Sequence, residues 1–126
     1  MSEIKKREIK KKEFRHLPAF ILLVLTGPPG HGGAIHAAIE RMLPSMKLDT
    51  GAIYRILQRM EKNGEVAFRW ETPASGPARK VYRLTEAGRK ELSIWKDEIV
   101  KRRAYLNIFL KSYDRLRKKK RQHIEK

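Results

Sequence analysis

A mainly helical fold that carries one small β-hairpin and closes on a long helix is predicted by three features of this 126-residue chain. Residues 49–63 have the apolar period of an amphipathic helix, and residues 65–84 hold two stretches of strand-like alternation around a turn rich in proline and glycine. Residues 85–116 place apolar side chains at alternating steps of three and four.

In chain order, residues 1–16 are dominated by Lys and Arg, with Ile4, Ile9 and Phe14 as the larger apolar residues. A solvated charge run and a DNA-contacting arm both fit that composition, since blocks of like charge are often disordered. Leu17-Pro18-Ala19-Phe20-Ile21-Leu22-Leu23-Val24-Leu25 predicts a first helix, with Pro18 near its opening, where a missing amide hydrogen does no harm. Because it is apolar all round, burial on most sides is expected. Gly27, Pro28, Pro29, Gly30, Gly32 and Gly33 then break the chain, and residues 34–43 resume as a second helix with Ile35, Ala38, Ile39 and Met42 on one stripe. The glycine cluster lacks the Gly-Lys-[Ser/Thr] ending of a phosphate loop, so it reads as a turn. His31 and His36 are off the i, i+4 spacing of a helical metal pair, with Glu40 the only carboxylate near, and no metal is expected.

The third helix should open at Asp49, whose carboxylate can accept from free first-turn amides, and stop at Asn63-Gly64. On a helical wheel Ile53, Ile56, Leu57 and Met60 share one arc, while Tyr54, Arg55, Gln58, Arg59 and Lys62 share another. One face suits a core and the other suits a groove. Glu65-Val66-Ala67-Phe68-Arg69-Trp70 alternates as a half-buried strand, residues 72–77 form a turn, and residues 79–84 return as a second strand with Val81, Tyr82 and Leu84. Helix, strand, basic loop and strand make the second half of a winged helix-turn-helix, in which the helix enters the DNA major groove and the hairpin reaches the flanking backbone.

Thr85 is a good N-cap for a last helix, with Glu86 in its first turn. Leu92, Trp95, Ile99, Leu106, Phe109, Tyr113 and Leu116 form an apolar seam interrupted by Arg102. A seam of that length exceeds what one side of a small domain needs, so a partner helix and a homodimer are expected, with packing on the chain's own first helix as the alternative. Lys118-Lys119-Lys120-Arg121 follows as a basic block suited to a solvated tail or to phosphate contact. The expected organisation is a basic arm at 1–16, a winged helix-turn-helix domain at 17–84, and a dimerisation helix with basic tail at 85–126.

The blocks Leu48-Asp49-Thr50-Gly51-Ala52-Ile53-Tyr54, Leu57-Gln58-Arg59-Met60-Glu61-Lys62-Asn63-Gly64 and Gly76-Pro77-Ala78-Arg79-Lys80-Val81-Tyr82-Arg83-Leu84-Thr85-Glu86-Ala87-Gly88 resemble, in order and spacing, the PadR family of bacterial and archaeal transcription regulators. The resemblance runs from about Leu17 to the end. It implies a repressor that dimerises through the C-terminal helix and that releases DNA when a small aromatic effector binds; Trp95, Tyr105 and Phe109 are candidates to line that pocket, although aromatics on such a seam also serve as core. Two departures stand out. His31-Gly32 is kept but Gly33 stands where the family has an aromatic residue, and Ala52 replaces a residue that often bears a hydroxyl, which implies a lost backbone contact.

Composition agrees with a polyanion partner. Lys and Arg number 30 against 14 Asp and Glu, a formal charge of +16, and residues 1–16 and 101–126 carry most of the excess. The chain has no cysteine, which excludes disulfides, thiolate zinc sites and thiol catalysis. The apolar run at 17–25 is far shorter than the ~20 residues of a membrane-spanning helix, and no small-residue cleavage site follows it, so a cytoplasmic protein, nucleoid-associated when bound to DNA, is expected. Paired carboxylates, a metal set and a nucleophile beside a base are all missing, which makes an enzyme the weakest class, and no cofactor is expected.

The residues expected to meet double-stranded DNA fall into two groups. Arg55 and Arg59 suit bidentate bonds to guanine, and Gln58 suits adenine. Thr50, Tyr54, Lys62, Arg79 and Lys80 suit phosphates, with the helix at 49–63 and the wing at 71–80 acting together on an inverted repeat. The competing reading is a sequence-independent DNA- or RNA-binding protein whose charge does the binding; a protein-binding adaptor has no reason to pair a polar helix arc with a basic wing.

Overall fold

The computed structural model describes residues 14–125, and the chain divides between Leu92 and Ser93 into two units. Residues 1–13, the greater part of the expected basic arm, lie outside the described residues.

The first unit holds α1 (Leu17–Val24), α2 (Gly32–Met42), α3 (Thr50–Lys62), β1 (Val66–Glu71), β2 (Arg79–Leu84) and the opening of α4 (Glu86–Glu125). Its core is made by the side chains of Leu17, Ile21 and Leu22 from α1, Ile35 and Ile39 from α2, and Ile53, Ile56 and Leu57 from α3, all fully buried. Burying apolar surface at ~25 cal/mol per Å² is what holds these short helices, which on their own would be marginal. Two expectations fail at the rim. Leu23 of the all-apolar first helix is exposed, because neighbours cover only part of it, and Met42 is 47% exposed because the shared stripe ends at Ile39, a turn before α2 does.

Local chemistry sets the boundaries as expected. Asp49 Oδ1 accepts from Gly51 N at 3.1 Å, and Gly64 takes φ +73°, a left-handed conformation that glycine adopts without a Cβ penalty. Thr85 Oγ1 accepts from Gly88 N at 3.1 Å and donates to Gly64 O at 2.6 Å, so the start of α4 is tied to the end of α3.

The sheet is an antiparallel pair in register from Val66 opposite Leu84 to Glu71 opposite Arg79, one residue later in its first strand than the alternation suggested. It gains a partial third member. Gly30 N donates to Tyr82 O at 3.0 Å and Tyr82 N donates to Gly30 O at 2.8 Å, so the turn before α2 docks on the free edge of β2.

The second unit is the remainder of α4. Trp95 and Ile99 are half-buried, and Arg102 Nη2 donates to Glu98 Oε1 one turn back at 2.7 Å. Leu106, Phe109, Tyr113 and Leu116 of the expected seam are exposed, as are Ile94, Tyr105, Ile108 and Leu110 beside it. Phe109 and Tyr113 stack with ring centroids 6.4 Å apart. Among the described residues no helix is long and apolar enough to cross a membrane.

Candidate nucleic-acid interface

The arc read from the wheel is the exposed side of α3. Ala52, Ile53, Ile56, Leu57 and Met60 are buried, and Tyr54, Arg55, Gln58, Arg59 and Lys62 are exposed. Ala52, where the resemblance expects a hydroxyl, belongs to the buried arc at 3% exposure. Thr50 is exposed in the first turn, and Arg55 Nη2 lies 3.6 Å from the capping Asp49 Oδ2. An acid here thus caps the helix and orients a cation at once.

Tyr54 is held by a close approach. A Cβ at Gly32 would overlap the Tyr54 ring, coming within 2.6 Å of Cζ and 2.9 Å of Oη, so only glycine lets the first turn of α2 seat that ring. Gly33, where the resemblance expects an aromatic side chain, leaves room that the His31 imidazole occupies, with Nε2 3.1 Å from where a Gly33 Cβ would be.

Both wing cations named from the sequence have partners within the chain. Arg79 donates to Glu71 Oε1 at 3.3 Å and lies 3.4 Å from His31 Nε2. Lys80 Nζ donates to Glu61 Oε1 at 3.1 Å and sits 4.1 Å from the centroid of the Phe68 ring. The turn between the strands contains Gly76 at φ +107°, and Arg69, exposed, pairs with Glu71 at 3.5 Å. Trp70 is 63% exposed and meets the Phe68 ring edge-on at 6.0 Å.

The sequence reading missed Glu61, Phe68 and Trp70 as members of this surface. Trp70 had a readable signal: it closes the apolar face of β1 next to the turn, beyond the reach of a small core. Glu61 had none, because its partner is 19 residues away.

Titration is perturbed under the wing. Burial raises the Tyr82 hydroxyl above its ordinary value, with Lys80 acting against the rise. Burial also raises the Glu65 carboxyl, opposed by its hydrogen bond to Asn63. His36 is structural, its Nε2 lying 3.0 Å from Leu48 O and 3.3 Å from Glu40 Oε1. Among the described residues no group of three His, Asp or Glu side chains could hold a metal ion.

A helical core, a capped amphipathic helix with a polar, cation-bearing outer face, and a hairpin packed behind it define a winged helix-turn-helix protein. The model of the transcriptional regulator PadR-like family matches residues 21–94, more than half the chain. The chain belongs to the PadR-like family of transcriptional regulators, whose members regulate transcription and are not enzymes.

Solved structures agree with that placement. Bacillus subtilis PadR in complex with operator DNA is 27% identical, with a TM-score of 0.58 over 64% of this chain, and this chain spans 46% of its length. A PadR family transcription regulator from Clostridium difficile is 29% identical, with a TM-score of 0.63 over 75% of this chain and 98% of its own. A transcriptional regulator from Clostridium thermocellum, 21% identical with a TM-score of 0.68 over 86% of this chain and 97% of its own, shares the fold. No curated protein matches.

Proposed function

We propose that the protein is a sequence-specific double-stranded DNA-binding repressor that acts as a homodimer on an inverted-repeat operator. The observation that carries this is the split of α3 into a buried apolar arc and an exposed arc of Tyr54, Arg55, Gln58, Arg59 and Lys62. The Bacillus subtilis PadR complex, which holds operator DNA, supports the same use of the fold. Arg55 and Arg59 read guanine O6 and N7 and Gln58 reads adenine, each good pair worth ~1–3 kcal/mol of discrimination. Thr50, Tyr54, Lys62, Arg79 and, on the sequence reading, Lys80 take phosphates, which set register.

The exposed apolar surface of α4 supports the dimer. Leu106, Phe109, Tyr113 and Leu116 would face water in a monomer, and a contiguous patch of this kind marks an interface. In the dimer Leu92, Trp95 and Ile99 continue the seam. A planar aromatic effector would then meet Trp95, Tyr105 and Phe109, of which the last two are exposed. The protein works in the cytoplasm, on the nucleoid.

The test is selection from randomised duplexes at ~0.15 M salt, repeated with Gln58→Ala. Recovered sites should form an inverted repeat with half-sites ~34 Å apart, and the substitution should relax preference at one base of each half-site. Recovery of no consensus, with affinity falling ~10³–10⁵-fold between 50 and 200 mM salt, would assign the function to charge alone.

A further inference from the structure

We infer that Lys80 and Glu61 form a tether that fixes the wing against α3, which makes Lys80 a positioning residue for DNA binding and not one of its phosphate contacts. The inference rests on the DNA-binding reading above and revises one of its residues.

The geometry is that of a cation already engaged. Lys80 Nζ donates to Glu61 Oε1 at 3.1 Å, lies 4.1 Å from the Phe68 centroid and 5.8 Å from that of Trp70. Both side chains of the pair are only 29% exposed, unlike Arg55 with Asp49 or Arg69 with Glu71, where the arginines are above 60%. An ammonium stacked on an aromatic face and bonded to a carboxylate would have to give up both to reach a phosphate.

The wing also needs such a link. Val66 and Tyr82 are buried in the inner part of the hairpin and Val81, opposite Arg69, is the last buried position, but beyond it towards the turn Trp70 is exposed. A two-stranded hairpin is marginal by itself, so its outer half takes its direction from whatever ties it down. Lys80 stands opposite Trp70 in that outer half, and Glu61 is in the last turn of α3. The pair therefore couples the angle of the wing to the helix that reads bases.

The decisive property is the sign of one substitution. Removing an acid beside a polyanion site normally tightens binding, and here it would also release a lysine. A tether predicts the reverse. The experiment measures dissociation constants by fluorescence anisotropy for the selected site and a scrambled duplex, from ~50 to ~200 mM salt. The unaltered chain is compared with Glu61→Gln, Lys80→Gln, the double variant and Lys80→Arg, and thermal melts verify that each is folded at the assay temperature.

Glu61→Gln and Lys80→Gln should each weaken the selected site about three- to tenfold, and the double variant should be no weaker than either, as for a pair acting as one unit. The salt slope should stay that of the unaltered chain, and Lys80→Arg should retain most of the affinity. Tighter binding by Glu61→Gln, or a slope lowered by about one phosphate in Lys80→Gln, would overturn the tether. Failure of the unaltered chain to prefer its selected site would overturn the DNA-reading proposal itself, and that result is visible before any substitution is made.

Discussion

Gly88→Ala reverses the usual sign of its substitution. Glycine inside a helix is about 1 kcal/mol less favourable than alanine, so the exchange ordinarily stabilises. Gly88, near the start of α4, is buried, and a Cβ there would overlap the Glu65 carbonyl oxygen and come within 3.1 Å of the Glu65 carbonyl carbon. That carbonyl cannot easily retreat, because it accepts from Thr85 N at 3.1 Å. An overlap this close with backbone atoms belongs at the upper end of the about 1–3 kcal/mol that overpacking costs, about 2–3 kcal/mol, which exceeds the propensity gain. The expected net effect is a loss of about 1–2 kcal/mol, or roughly 4–8 °C in Tm for each kcal/mol in a unit of this size. Gly51→Ala is the control: its Cβ would meet Arg55 Nη1 at 3.2 Å, the far end of a flexible side chain, and the Asp49 carboxylate at 3.4 Å. Calorimetric melts of both variants decide the matter. If Gly88→Ala melts at or above the unaltered chain, as Gly51→Ala is expected to, the close approach of α4 to Glu65 is not as described.

Three further outcomes are expected. Gly32→Ala should push the Tyr54 ring off its seat and weaken cognate and scrambled duplexes alike by about fivefold, since phosphate contacts carry no sequence information; a loss confined to the cognate site, read by anisotropy, would move Tyr54 to the base-reading group. Leu106→Glu or Phe109→Glu should convert a dimer to a monomer in sedimentation while the winged unit keeps its melt, because both side chains are exposed within the single chain. Glu65→Gln should stabilise at neutral pH. Burial raises the Glu65 carboxyl above 4.5, so the folded chain holds that proton more tightly than the unfolded chain, and stability is lost as pH rises from 4.5 through the raised value. Urea melts between about pH 4 and 7 should show the two proteins converging at the acid end and separating above it.

The parts of this molecule that were legible in its sequence are those whose cause is local. Asp49 and Thr85 cap helices by bonds to amides two and three residues on, and Gly64 ends α3 by its own backbone freedom. The two arcs of α3 follow from the helical period alone. Illegible were the pairings that depend on where distant segments meet. Nothing in residues 26–33 announces that Gly30 will pair with Tyr82, since a single bridge has no period. Nothing near Lys80 names Glu61, so a lysine beside a basic turn reads as a phosphate ligand until its neighbours are seen. Met42 and Leu23 are exposed for a related reason: an apolar stripe records what a helix can bury, while its neighbours decide how much of it they cover.

The Gly30–Tyr82 bridge also bears on the order in which the molecule can assemble. The hairpin of β1 and β2 is local and can close within microseconds, but its outer edge is completed only when backbone from before α2 arrives. That junction joins the earliest helices to the last strand, and the entropy of closing so long a loop must be met before its two hydrogen bonds form. A nascent chain emerging from the ribosome through α3 would therefore hold the three core helices and the Gly30 turn and still lack the hairpin on which that turn docks. Substitutions at Gly30 should accordingly slow refolding more than they speed unfolding if the bridge forms in the transition state.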